Sequence, residues 1–328
     1  MSKKLKKYKK KFPIGIKILL IILVIITFTI GIGIGSVYRI LGNLDKVDIT
    51  NEDLGTVSED ELKQYDNYKD IINIALLGID SEDGVGRSDS IMIATVDPIH
   101  DKLKVTSIMR DSYVNIDGHG YDKINHAYAF GKAPLSIKTI NETFGLNIEN
   151  FVAVDFGSLP NIIDTLGGLE LNITNEEIEY INFYIDEINR LNNTNSPNIW
   201  TAGTQHVDGV QALAYTRIRY TSGGDYERTQ RQRTVLTALF NKALNISPTE
   251  YFNLINDILP HVKTSLSVND ILSLATKVAK IGGGTLEQER FPRDEYCEGK
   301  MINGVYYLTF DESTTKQQIM DYIFDDKK

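Results

Sequence analysis

Hydrophobic and polar positions along this chain fall into three regimes. Residues 18–38 run for twenty-one positions without a charge and are dominated by Ile, Leu and Val, long enough to cross a hydrocarbon core as one helix. Residues 39–70 are polar and acidic, with a short helix expected near 59–68, and read as a stalk. From residue 71 three apolar runs at 71–78, 90–96 and 103–109 are separated by polar breaks, and their Ile and Val content predicts strands. Further strands are expected at 151–156, 169–173, 286–291 and 305–308. Helical spacing predicts helices at 134–144, 159–166, 175–191, 207–214, 226–244, 248–258, 268–280 and 315–323, the second of them closed by Gly167-Gly168. Strands and helices alternate, which predicts an α/β fold with a central sheet covered by helices on its faces. Residues 71–325 form one large domain on this reading.

Charge places the apolar span in a membrane context. Residues 1–17 hold eight lysines and no acid, a basic tail expected to stay in the cytoplasm with everything after the span outside. A cleaved signal peptide would have a shorter apolar region and an Ala-x-Ala site, and no cysteine follows to take a lipid, so 18–38 is expected to be a retained anchor in the cell membrane. The whole chain carries −9 and its first seventeen residues +8, which leaves −17 for the rest. A strongly acidic outer portion argues against nucleic acid as a partner. The single cysteine, Cys297, excludes an internal disulfide and a cysteine-based metal site.

Against that acidic background, residues 213–233 hold five of the eleven arginines (Arg217, Arg219, Arg228, Arg231, Arg233) and no lysine. Arginine grips phosphate or carboxylate oxygens in planar, two-pronged geometry; a solvated basic helix face is the plainer alternative. Three successive strands also deliver polar groups to their connecting loops: Asp80, then Arg87 and Asp89, then Arg110 and Asp111. If the first two strands are neighbours, Asp80 and Asp89 can reach one point and suit a magnesium ion, which takes oxygen ligands and keeps waters for substrate phosphates. They can equally be turn aspartates capping backbone amides, and Arg110–Asp111 a structural ion pair. His126, in the polar knot 123–128, is either a general base or a capping histidine. No Gly-x-Ser-x-Gly elbow and no paired-histidine zinc motif are present. An arginine-rich anion site, acidic metal-ligand candidates and a membrane tether together point to chemistry on a phosphate held in the membrane.

At these residues the sequence resembles the LytR–CpsA–Psr family of wall-polymer ligases of Gram-positive bacteria. The matching pieces are LLGID (76–80), GRSDSIMI (86–93), SIMRDSYV (107–114), KINHAY (123–128), the Gly167-Gly168 turn, AYTRIRY (214–220) and DYERTQRQ (225–232), in family order. The resemblance implies an α/β/α sandwich with a central twisted mixed sheet and an apolar groove for a polyprenyl chain, preceded by one transmembrane helix. It implies transfer of a glycopolymer (teichoic acid, capsule or another secondary wall polymer) from an undecaprenyl-pyrophosphate carrier to a peptidoglycan hydroxyl, with release of undecaprenyl phosphate. By motif position, Asp80 and Asp89 match magnesium-linked aspartates. Arg87, Arg110, Arg217, Arg219 and Arg228 match pyrophosphate-facing arginines, and Gln232 a polar neighbour. Arg110, Asp111, Arg217 and Arg219 are the catalytic candidates, with Asp111 either orienting Arg110 or accepting a proton. Two positions depart from the family: Met109 stands where proline is frequent, and Glu227 where glycine often precedes the last arginine. A polyprenyl-pyrophosphate hydrolase shares every one of these residues, and a non-catalytic membrane-anchored regulator binding prenyl-linked ligands is the reading from another class.

Overall fold

The computed structural model describes residues 45–49, 52–66, 68–80, 86–219, 224–243, 261–281 and 286–328. The expected membrane span and the expected 248–258 helix lie outside the described residues. Among those described, no helix is long and apolar enough to cross a membrane.

In chain order, strand β1 (Asp45–Lys46) and the one-turn helix α1 (Glu59–Leu62) precede strands β2 (Ile72–Asp80), β3 (Arg87–Asp97) and β4 (Lys102–Ile108). A hairpin of β5 (Tyr113–Ile116) and β6 (Gly120–Lys123) leads into α2 (His126–Phe144), β7 (Asn150–Asp155), α3 (Leu159–Thr165) and β8 (Leu169–Ile173). Helix α4 (Asn175–Asn192), β9 (Gly203–Val207), α5 (Gly209–Arg217) and α6 (Gly224–Ala243) follow. The chain continues with β10 (Val262–Thr264), α7 (Val268–Ile281), β11 (Leu286–Phe291), the hairpin β12 (Cys297–Ile302) and β13 (Val305–Phe310), and α8 (Glu312–Phe324).

Seven strands form one mixed sheet in the order β1-β10-β7-β2-β3-β4-β11. β2 runs antiparallel to β3 and parallel to β7, β3 antiparallel to β4, and β4 parallel to β11. The central strands are apolar on both sides because both faces are covered. On one face Ile74, Met92, Ala94 and Val105 pack with Ile163, Ile185, Leu213, Leu239 and Leu274 of α3 to α7. On the other, Ala75, Leu77, Ile79, Ile91 and Ile93 pack with Ile137 and Phe144 of α2 and Ile319 and Ile323 of α8. This is the expected α/β architecture with a mixed central sheet and helices on both faces.

The strands and most helices lie within a few residues of their predicted bounds, and the differences have local causes. Helix α2 starts eight residues before the expected 134 and changes direction at Gly131 and Lys132, whose φ/ψ are not helical, so Pro134 sits just after the break, where its missing N–H is tolerated. The Gly167-Gly168 stop is realised with φ of +73° and +74°. A Cβ on Gly168 would come within 2.7 Å of the Val207 carbonyl, so this turn has room only for glycine. The stalk reading is corrected for its described part. Asp45–Lys46 pairs in parallel with β10, and Ile49, Leu62, Tyr65 and Tyr68 are buried in the core beneath α2 and α8. The polar composition of 39–70 concealed four apolar residues at irregular spacing.

Candidate active site

Because β3 is antiparallel to both neighbours, the end of β2, the start of β3 and the end of β4 lie at one end of these central strands. Asp80, Arg87, Asp89, Arg110 and Asp111 are carried to that end, and Arg110 pairs there with Asp89 and Asp111. Along β2 and β3, Gly78 pairs with Ser90, Ile79 with Ser88 and Asp80 with Arg87. Asp89 is thus the extra residue of a β-bulge, the device that re-aims a side chain out of the alternating pattern.

The bulge delivers Asp89 into a ring of cations. Its Oδ2 is paired with Arg110 Nη1, with Arg228 Nη1 at 3.7 Å and Arg219 Nη2 at 4.0 Å. Its Oδ1 accepts a hydrogen bond from Asn125 Nδ2 at 2.9 Å. Burial alone would raise the Asp89 pKa, but Arg110, Arg228, the Asn125 hydrogen bond and Arg219 together hold it below the ordinary carboxylate value. Asp89 and Arg228 are 8% and 2% exposed, so this charge cluster is screened little by solvent.

Each arginine arrives by a different route. Arg110 follows β4, and its Nε lies 3.5 Å from Asp111 Oδ2, while Lys123 Nζ donates to Asp111 Oδ1 at 2.6 Å. With a cation on each oxygen, Asp111 is placed to fix the Arg110 guanidinium. Helix α5 begins with a reciprocal cap: Gln211 N donates to Asp208 Oδ1 at 2.8 Å, and Asp208 N to Gln211 Oε1 at 2.9 Å. It ends at Arg217, and buried Ile218 pins the chain so that Arg219 reaches the cluster. Helix α6 supplies Arg228, with Gln232 one turn further on and also buried.

Not all five arginines of the cluster serve this point. Arg231 is structural: its Nε donates to buried Glu177 of α4 at 2.7 Å, its Nη1 to the Ile218 carbonyl at 3.2 Å and its Nη2 to Glu227 at 2.9 Å. The departure at Glu227 is thereby explained, since its carboxylate pairs with Arg231, one turn along. Arg233 bonds Gln230 and lines a separate cavity of about 570 Å³ with Glu170, Thr234, Lys242 and Gln288. Met109 also has a physical role: its N–H donates to the Phe291 carbonyl at 2.9 Å, extending the β4–β11 pairing past the end of β4. Proline there would have no N–H to give.

Two residues of the site were not among the sequence candidates. Asn125 bonds Asp89 through its side chain, and its backbone ties the start of β3 to the Arg110 turn: Ser88 N donates to Asn125 O, and Asn125 N to Arg110 O, both at 3.3 Å. Lys123 is the second cation on Asp111. The signal for both was the polar knot at 123–128. His126 tops α2 with Nδ1 2.7 Å from Asp122 Oδ2.

The sequence as a whole matches a known family. The LytR–CpsA–Psr family profile matches residues 38–321. The chain belongs to the LytR–CpsA–Psr family. A member from Oceanobacillus iheyensis, the polyisoprenyl-teichoic acid–peptidoglycan teichoic acid transferase TagU, is 35% identical over 268 residues, covering 78% of this chain and 77% of its own. The crystal structure of B. subtilis TagT superposes with a TM-score of 0.61 at 27% identity, covering 82% of this chain and 97% of that one. TagT bound to LI-WTA superposes with a TM-score of 0.62 at 27% identity and the same coverage. Within this LytR–CpsA–Psr domain, no group of three or more His, Cys, Asp or Glu side chains that could cage a metal occurs among the described residues.

Proposed function

We propose that this protein transfers a glycopolymer from an undecaprenyl-pyrophosphate carrier to a peptidoglycan hydroxyl, forming a phosphodiester and releasing undecaprenyl phosphate. The observation that carries this reading is the convergence of Arg110, Arg219 and Arg228, from three separate elements, on one buried carboxylate. Guanidiniums from three separate elements meeting at one point offer planar, two-pronged donors that suit the oxygens of a pyrophosphate. The transferase names of the relatives agree with this chemistry.

In the reaction, the acceptor oxygen bonds to the phosphorus that carries the polymer, and the bond from that phosphorus to the bridging oxygen breaks. The acceptor proton passes to solvent, and prenyl phosphate leaves with the bridging oxygen. Arg110, Arg219 and Arg228 would meet the negative charge that develops on the phosphoryl oxygens, and Arg87, Arg217 and Gln232 are assigned supporting contacts to the pyrophosphate. Asp111 and Lys123 hold Arg110 in place beforehand, so little reorganisation accompanies the step.

A magnesium ion fits the donor set. Asp80 and Asp89 come from paired central strands; Asn125 meets one oxygen of Asp89 and Arg110, Arg219 and Arg228 face the other, so a magnesium ion would share Asp89 with them and take its remaining oxygens from Asp80, waters and substrate. A site of two carboxylates completed by waters and substrate phosphates is the arrangement magnesium favours. Bound there, the ion would neutralise charge on the pyrophosphate. Residues 18–38 would anchor the domain on the outer side of the cell membrane, where the carrier lies.

The test uses residues 41–328 with a synthetic prenyl-pyrophosphate disaccharide, peptidoglycan oligomers and magnesium, followed by mass spectrometry. A glycan–phosphate–glycan product is expected. Arg110→Ala should lower its rate by a hundredfold or more, as for loss of one preorganised donor worth about 3–4 kcal/mol. Prenyl phosphate released without a linked product would point to hydrolysis instead.

A further inference from the structure

Beyond the arginine cluster, an aromatic surface starts at Asp111 and leads away from it. The β12–β13 hairpin docks beside the β5–β6 hairpin through Leu308 N, which donates to the Asp111 carbonyl at 2.8 Å, and through a parallel bridge between Ser112 and Leu308. This brings Tyr307 against Tyr113, ring centroids 4.8 Å apart, and Tyr113 lies 5.3 Å from Tyr121. Lys123, bonded to Asp111, places its ammonium 5.8 Å from the Tyr307 ring centroid, so one side chain joins the arginine cluster to the aromatic surface. Further out, the exposed His119 ring stacks on Phe130 at 4.2 Å, and His126 meets Phe130 edge-on at 6.0 Å.

Much of this surface faces outward. Tyr121 is 60% and Phe130 44% exposed, so each ring keeps a free face beyond its packing on Tyr113 or His119. Hydrogen-bonding groups are set among the rings: Asp122 Oδ1 lies 3.4 Å from the Tyr307 hydroxyl, and its Oδ2 2.7 Å from His126 Nδ1. Ring faces interspersed with carboxylate, imidazole and phenol groups match a sugar strand. The axial C–H groups of a pyranose settle on the negative face of an aromatic ring, and its hydroxyls bond the polar groups between.

The charge of the surface selects which strand. Asp117 there is paired with Lys138 at 2.7 Å, Asp122 is bonded to His126, and Lys123 is committed to Asp111, so the charges of this surface are matched within the fold. A polymer with phosphate in its backbone would find here no counterpart of the arginine cluster among the described residues, whereas a glycan without phosphate needs none. We propose that the surface formed by Tyr113, Tyr121, Tyr307 and Phe130 binds the acceptor, laying the sugar rings of a peptidoglycan strand along the two hairpins so that one hydroxyl arrives beside Arg110. This assignment rests on the transfer reaction proposed above for its role, but not for the binding itself.

The experiment therefore has two arms, both with the full-length protein in detergent. In the first, transfer is measured against acceptor and donor concentration separately. Tyr121→Ala should raise the acceptor KM about tenfold, the loss of one ring stack or slightly more, with the shift absent from the donor KM, and Tyr121→Trp should restore it. In the second, a metal-free, phosphate-free peptidoglycan oligosaccharide is titrated in the absence of donor and followed by NMR. Saturable binding to the wild type that weakens about tenfold in Tyr121→Ala and in Phe130→Ala supports the assignment even if no transfer is seen, and in that event it is the transfer reading that fails. No binding by the wild type, or a change in donor KM with none in acceptor KM, overturns it.

Discussion

Asp89 shows how much a single side chain can organise. A β-bulge aims it, Asn125 holds one oxygen, and three arginines surround the other. Its depressed pKa has a consequence for stability. A carboxyl with a folded pKa below its unfolded value contributes stability that is complete above the unfolded value, near pH 4, and lost as pH falls through the lower folded value. Replacing Asp89 by Asn keeps the shape but leaves the arginines uncompensated, which should cost about 3–5 kcal/mol at neutral pH. Chemical denaturation of wild type and Asp89→Asn should give a constant difference down to about pH 4 and a shrinking one below it. A difference of equal size at pH 7 and pH 2 would show that Asp89 is not the titrating group. The sequence disclosed Asp89 because a carboxylate in the Gly86-Arg87-Ser88-Asp89 lead into an apolar strand is conspicuous. It did not disclose Asn125 as its partner, because that contact depends on the β5–β6 hairpin returning the chain to the head of β3, and four-residue strands of mixed polarity leave little periodic trace.

At the scale of elements, helix α6 divides its arginines between two tasks, and spacing along the helix explains the division. Arg228 and Gln232 are four residues apart and so share one face, with Arg228 directed to Asp89. Arg231 turns instead to Glu177, fastening α6 to α4, and Glu177 also accepts a hydrogen bond from Thr174 N at 2.8 Å at the start of α4. The concentration of arginines without lysine was legible in the sequence, but its partition was not, since it depends on which helix packs behind α6. The two substitutions should therefore separate. Arg231→Ala strands a buried Glu177 and should destabilise the domain by about 3–5 kcal/mol, seen as a lowered denaturation midpoint. Arg228→Ala should instead show its main deficit in transfer rate, a hundredfold or more on the scale of a lost transition-state donor. If Arg231→Ala left the midpoint unchanged while abolishing transfer, the roles given to the two arginines would have to be exchanged.

For the whole molecule, the question is where the folded unit begins. The sequence made the sheet and its helices legible because strands buried on both faces are continuous apolar runs, and it placed the start of the domain at residue 71. The structure moves that start to residue 45 or before. β1 pairs at the sheet edge, Ile49, Leu62, Tyr65 and Tyr68 fill the core against α2 and α8, and the Tyr65 hydroxyl donates to Asp321 at 3.2 Å. A buried aliphatic side chain contributes roughly 1.5–3 kcal/mol, and a domain is held by only about 5–15 kcal/mol in total. Losing four buried side chains at once therefore consumes much of the margin, and it also bares apolar faces of α2 and α8. A domain cut at residue 71 should unfold at far lower denaturant than one cut at residue 41, or aggregate on expression, although every arginine and aspartate of the site is retained. Thermal unfolding of the two fragments decides the matter. Equal midpoints would return residues 45–70 to the status of a stalk, whereas a collapsed midpoint would make them an integral part of the domain's core.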